Sequence, residues 1–120
     1  MANTTADQMK ERTKQFALRV IKLTQSLPND RTAMTLGNQL LRSGTSVGAN
    51  YRAACRARSD AEFRAKLGIV EEEGDESIYW MQLLSDAGFL PAKRLEYLMK
   101  EADELVAITV ASIKTSKHNA

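Results

Sequence analysis

The sequence predicts an all-α fold, an antiparallel up-down-up-down four-helix bundle. Three observations carry that expectation. Apolar residues recur at spacings of three and four through four separate stretches. Capping residues, two prolines and a glycine divide those stretches and leave only short connections between them. Strand signals are lacking, with no sustained Val/Ile/Thr alternation and no Asn-Gly or Asp-Gly hairpin turn. At 120 residues, 43% of them apolar, residues 1–120 read as one domain able to bury a core without disulfides or metal.

The first helix is expected over about residues 6–26. Thr5 with Gln8 forms a capping-box start, and Met9, Thr13, Phe16, Val20, Leu23 and Leu27 make the apolar stripe that Pro28 ends. Asp30 can cap the second helix, expected over 31–57. Ser59 with Glu62 is a further capping box, and it opens a third helix over 60–86. That helix aligns Phe63, Leu67, Val70, Gly74, Ser77, Met81 and Leu84, and Gly88 stops it. Pro91 suits the first turn of a fourth helix over 91–115, with Leu95, Leu98, Ala102, Leu105, Thr109 and Ile113 as its buried line. Residues 116–120, SKHNA, are expected to fray.

Within the second helix, RSGTSVGANYRAACRAR (42–58) raises the question of helix or loop. On a wheel of about 100° per residue, Leu36, Leu40, Val47, Tyr51 and Ala54 fall on one side. Asn38, Arg42, Thr45, Ala49, Arg52 and Arg56 fall opposite. The phase before the glycines is the phase after them, so the stretch reads as one helix. Helical glycines cost about 1 kcal/mol each relative to alanine, and close approach of another helix beside Gly44 and Gly48 is the compensating reason.

Composition limits function more than it defines it. No apolar run is long enough to span a membrane, and MANTTADQMKER has no stretch resembling an export signal. Cys55 is the one cysteine, which excludes an internal disulfide framework. A cytoplasmic protein without cofactor or metal is therefore expected. Net charge is only +2, but its distribution is uneven. Arg42, Arg52, Arg56, Arg58, Arg64 and Lys66 fall in one stretch that holds only Asp60 and Glu62 as acids, and EEEGDE (71–76) follows directly.

The segment SVGANYRAACRARSDAEFRAKL, followed by EEEGDESIYWMQLL, resembles the bacterial four-helix-bundle proteins named after intervening sequences of the large-subunit ribosomal RNA gene. The resembling positions are Asn50, Tyr51, Arg52, Phe63, Lys66, Leu67, Glu73, Asp75, Glu76, Tyr79 and Trp80. Ala53 stands where that family commonly has glutamate, which makes this helix more basic, and Gly74 stands where it has alanine. The resemblance implies a ring-like homopentamer. A structurally related accessory protein of diversity-generating retroelements is also pentameric, binds nucleic acid and associates with a reverse transcriptase. Possible partners by resemblance are thus a second copy, RNA or DNA, and a protein such as a reverse transcriptase. The family's own biochemical role is poorly defined.

Two readings of the basic block stay open. Arg42, Arg52, Arg56, Arg58, Arg64 and Lys66 can contact nucleic-acid phosphates, since guanidinium forks bind phosphate bidentately. Alternatively they pair with Glu73 and Glu76, which share a face with Trp80, within a structural group that includes Asn50, Tyr51 and Asp75. The pairs Glu73-x-x-Glu76 and Glu101-x-x-Glu104 superficially resemble the carboxylates of magnesium-dependent all-helical nucleotide pyrophosphatases. That is a minor alternative, because the last position would normally be aspartate. A di-iron bundle would need Glu-x-x-His pairs, and His118 in the tail is the one histidine. Cys55 is expected to be a buried packing residue. Leu18, Ile108 and Val110 widen the apolar surface beyond one core face, which points to oligomerisation. A protein-docking adaptor is the rival to nucleic-acid binding.

Overall fold

Residues 4–119 are described by the computed structural model, and four helices account for nearly all of them. They are α1 (Ala6–Gln25), α2 (Arg31–Cys55), α3 (Asp60–Asp86) and α4 (Ala92–Asn119). Each helix packs on its chain neighbour, and α1 closes the bundle against α4. No strand occurs among the described residues.

Local chemistry accounts for the ends. Thr5 Oγ1 accepts from the Gln8 N–H at 3.1 Å, and Gln8 Oε1 accepts in return from the Thr5 N–H at 2.9 Å. Asp30 caps α2 by accepting from the Ala33 N–H at 3.1 Å. Ser59 accepts from the Glu62 N–H at 3.1 Å, but Glu62 turns its carboxylate to the Arg58 N–H at 3.3 Å instead of closing a reciprocal box. Gly88, at φ 83°, takes the left-handed conformation that reverses the chain after α3.

Four boundaries differ from the sequence reading, two of them by a single residue, since α1 ends at Gln25 rather than 26 and α4 begins at Ala92 rather than 91. α2 ends at Cys55 rather than 57, because the Arg56 and Ala57 N–H groups tighten onto the Ala53 and Ala54 carbonyls. The tail expected to fray is helical through Asn119; Ala120 lies outside the described residues. Nothing before Asn119 breaks the helix, and Arg64 Nη1 donates to Ser116 Oγ at 3.2 Å, fastening the last turns to α3.

The apolar stripes meet in one core. Met9, Thr13, Phe16, Val20 and Leu23 of α1 are buried, as are Leu67, Val70, Gly74, Ser77, Met81 and Leu84 of α3. Leu95, Leu98, Ala102, Leu105 and Thr109 supply the α4 side. Each fully buried leucine, phenylalanine or methionine contributes roughly 1.5–3 kcal/mol. Leu27, Phe63 and Ile113, at the stripe ends, are only half-buried.

Small residues set how closely the helices approach. α2 runs antiparallel to α1, with Gly37 beside Leu27, Gly44 against Val20 and Gly48 against Thr13. A methyl placed on Gly44 would lie 2.9 Å from Val20 Cγ1, and valine is stiff about χ1. On Gly48 it would lie 3.1 Å from Thr13 Oγ1. Between α2 and α3 the buried Ser43 and Ser77 hydroxyls lie 2.9 Å apart, each within reach of a carbonyl of its own helix. Gly74 makes room for Val106 of α4. Gly68 has open space where a side chain would stand.

These glycines should behave differently in thermal unfolding. Gly44→Ala is expected to cost about 1–3 kcal/mol by overpacking Val20, and Gly48→Leu at least as much. Gly68→Ala should raise the midpoint, gaining up to about 1 kcal/mol of helix propensity with no steric cost. Equal midpoints for the Gly44→Ala protein and wild type would remove the close contact as the reason for that glycine.

Candidate nucleic-acid interface

The antiparallel registers decide which charged residues meet. Ser43 beside Ser77 places Arg42 level with the acidic turn of α3. There Arg42 Nη1 donates to Glu73 Oε2 at 3.0 Å, and Nη2 bonds Glu76 Oε1. The same Glu76 oxygen accepts from Trp80 Nε1 at 3.3 Å. The Trp80 ring packs against the core and meets Tyr79 edge-on, with centroids 5.2 Å apart. Arg42 is thus held in a network that bridges α2 and α3.

Nearly three turns further along, at the end of α2, the same register sets Arg52 and the C-cap Arg56 across from the start of α3, where Glu62 stands beside Lys66. Both arginines are exposed and form no ion pair among the described residues. With Ala49 and Ala53 they form a ridge. On the α3 side, a concavity of about 590 Å³ is lined by Arg58, Glu62 and Lys66 together with that ridge. On the α1 side, a second of about 500 Å³ is lined by Lys10, Lys14, Asp7 and Glu11, again with Arg52 and Arg56. The two concavities together gather six cationic side chains and three carboxylates, an excess of three positive charges where the whole chain carries +2.

Of the residues singled out from sequence, Arg52, Arg56, Arg58 and Lys66 converge on this face, while Arg42 and Arg64 do not. Arg64 is turned toward α4 by Ser116. Asn50 is spent within α2, donating to the Ser46 carbonyl at 2.9 Å, and Asp75 is exposed on α3. Lys10 and Lys14 were not singled out. Their four-residue spacing on the polar side of α1 was visible, but the α1–α2 register that carries them to Arg52 was not.

One further correction comes from side-chain placement. Cys55 is exposed, not buried, because Ala54 takes the core position at the end of α2 and the next residue points outward. Tyr51 is half-buried, and burial, aided by the nearby Cys55 thiol and Asp7 carboxylate, pushes its phenol above the ordinary tyrosine value.

The carboxylate pairs are each closed by a guanidinium. Arg12 of α1 donates to Glu101 from Nη2 at 2.6 Å and from Nε at 3.2 Å, and its Nη2 lies 3.0 Å from Glu104. Glu101 is the main reason that the Arg12 pKa is raised further above its ordinary value. Glu73 and Glu76 face α2 whereas Glu101 and Glu104 face α1, so the four do not form one site. Among the described residues no cluster of three acid, histidine or cysteine side chains is arranged to hold a metal. No described helix is long and apolar enough to cross a membrane.

Fold and surface together define an all-α four-helix bundle with one strongly cationic end. Within that class, the chain belongs to the 23S rRNA-intervening sequence protein family, whose model matches residues 7–111. It is also similar to a crystal structure from Bacteroides thetaiotaomicron described as a protein of unknown function from the S23 ribosomal protein family. The two share 33% identity and a TM-score of 0.85, over 91% of this chain and 97% of that one. No curated protein matches.

The two kinds of arginine should separate by stability. Arg42→Gln leaves the largely covered Glu73 carboxylate without its partner and should cost about 1 kcal/mol, allowing for the half-exposed guanidinium. Arg52→Gln should stay within about 0.5 kcal/mol of wild type. Thermal melts of the two variants test this directly.

Tyr51 makes a pH prediction. A raised folded-state pKa means that its contribution to stability is fully present below the ordinary tyrosine value near 10.0 and is lost as pH rises beyond it. Tyr51→Phe should therefore lose less of its melting temperature between pH 8 and pH 11 than wild type does. An identical alkaline loss in both proteins would show that Tyr51 is not the group responsible.

Proposed function

We propose that this chain is a non-enzymatic, homo-oligomeric, cytoplasmic bundle that binds RNA or DNA through phosphates, without reading sequence. The observation that carries the reading is the cationic face, where Arg52 and Arg56 stand unpaired between two concavities edged by Lys10, Lys14, Arg58 and Lys66. Guanidinium groups free of internal carboxylates keep their donors for bidentate phosphate contacts. In this reading the cations contact phosphates, and such contacts hold a nucleic acid in place without carrying sequence information.

Oligomerisation is supported by large apolar side chains left in solvent on every helix. Leu18, Met34, Ile69, Tyr79 and Tyr97 are all more than a third exposed. The pentamer implied by the family resemblance would repeat the cationic face five times, and multivalency would convert a weak site into useful affinity.

Fluorescence anisotropy with labelled RNA across a salt series tests the phosphate reading. Affinity should fall steeply with salt, and Arg52→Gln with Arg56→Gln should flatten the log–log slope by up to about 1.8, similarly for unrelated sequences. Light scattering should report about five times the chain mass for both proteins. Absence of RNA and DNA binding at low salt would favour the protein-docking adaptor instead.

A further inference from the structure

The cationic face is divided in two along its length. α2 and its C-cap residue Arg56 supply the ridge Ala49, Arg52, Ala53 and Arg56, and a separate concavity opens on each side of it. Each concavity has its own pair of cations from a different element: Lys10 and Lys14, one turn apart on α1, on one side, and Arg58 and Lys66 on the other. A single strand follows one charged groove and would leave the second pair idle. A double helix presents two phosphate rows, and a ridge seated between them puts cations against both.

The lining chemistry agrees. Binders of single strands add aromatic side chains on which unpaired bases stack. Among the described residues no aromatic side chain lines either concavity. The exposed aromatics lie elsewhere, Tyr79 on α3 beside Trp80 and Tyr97 on α4 beneath the guanidinium of Arg19, 4.6 Å from its ring centroid. The ridge itself is small between its arginines, so it can approach a groove floor without apolar wedges. Asp7 and Glu11 in one concavity and Glu62 in the other are the opposing carboxylates, and Gln15 and the Arg58 N–H respectively engage Glu11 and Glu62.

Resting on the phosphate-binding reading above, we infer that the ligand is a nucleic-acid duplex straddled by the α2 ridge, with Lys10 and Lys14 on one phosphate row and Arg58 and Lys66 on the other. Arg52 and Arg56 contact phosphate from the ridge and serve both rows.

The test compares the full-length oligomer with a duplex RNA, a duplex DNA and a non-complementary single strand of equal length, by anisotropy over a salt series. Two double variants are added, Lys10→Gln with Lys14→Gln and Arg58→Gln with Lys66→Gln. Circular dichroism checks that each remains folded, and Arg58→Gln alone replaces the second pair if the half-buried Lys66 proves structural. Wild type should bind at least one duplex more tightly than the single strand. Each pair of substitutions should lower the duplex slope by about 1.8, since each phosphate contact contributes about 0.9. The RNA and DNA arms identify which sugar backbone is preferred. The inference is overturned if the single strand binds as tightly as both duplexes, or if only one flank moves duplex binding while the other leaves it unchanged. If neither duplex nor single strand binds at low salt, the phosphate reading itself fails, and the straddled duplex with it.

Discussion

The close approach of α2 to α1 is the constraint on which the rest of the structure depends. Gly44 and Gly48 carry no side chain where Val20 and Thr13 press against the helix, and that contact fixes both the spacing and the register of the pair. Glycine is a poor helix former, so the fold accepts a local cost along α2 to gain tight packing over several turns. A larger residue at either position would lift α1 away and shift Lys10 and Lys14 relative to Arg52. The packing of the middle of the bundle thereby determines the geometry of its charged end.

Charge then divides according to register. Arg42 and Arg52 belong to the same helix and the same broad polar side, yet one is bound into a network with Glu73, Glu76 and Trp80 while the other is free. The difference lies in α3, whose acids cluster level with Arg42 and whose cations lie level with Arg52. A half-covered ion network contributes modestly to stability, but its loss strands a carboxylate. The exposed arginines form no ion pair among the described residues. The α1–α4 seam repeats the first pattern, with Arg12 gripping Glu101 and Glu104, so both carboxylate pairs act as helix-to-helix ties.

Much of this was legible before any coordinates. Number and order of helices, the N-caps Thr5, Asp30 and Ser59, the reversal at Gly88 and nearly every buried position on α1, α3 and α4 follow from spacing and punctuation, because helix geometry repeats every 3.6 residues and caps act within one turn. Helix phase also carried through Gly44 and Gly48, which distinguished a continuous α2 from a loop. The ends were less secure. Fraying of residues 116–119 looked natural from polarity alone, since Arg64's bond to Ser116 joins positions far apart in the chain.

By itself, the sequence determined the all-α class, the small-residue helix in its middle, and the placing of a basic block before an acidic one. Only the tertiary structure decided which members of those blocks meet. It sent Arg42 to Glu73 and Glu76, turned Arg64 to α4, exposed Cys55, and brought Lys10 and Lys14 from a distant segment to Arg52 and Arg56. The physical reason is that helical periodicity is a local property, whereas the antiparallel register between helices depends on where glycine, serine and valine side chains interlock across the core. A cationic face made of three segments exists only once that interlocking is complete.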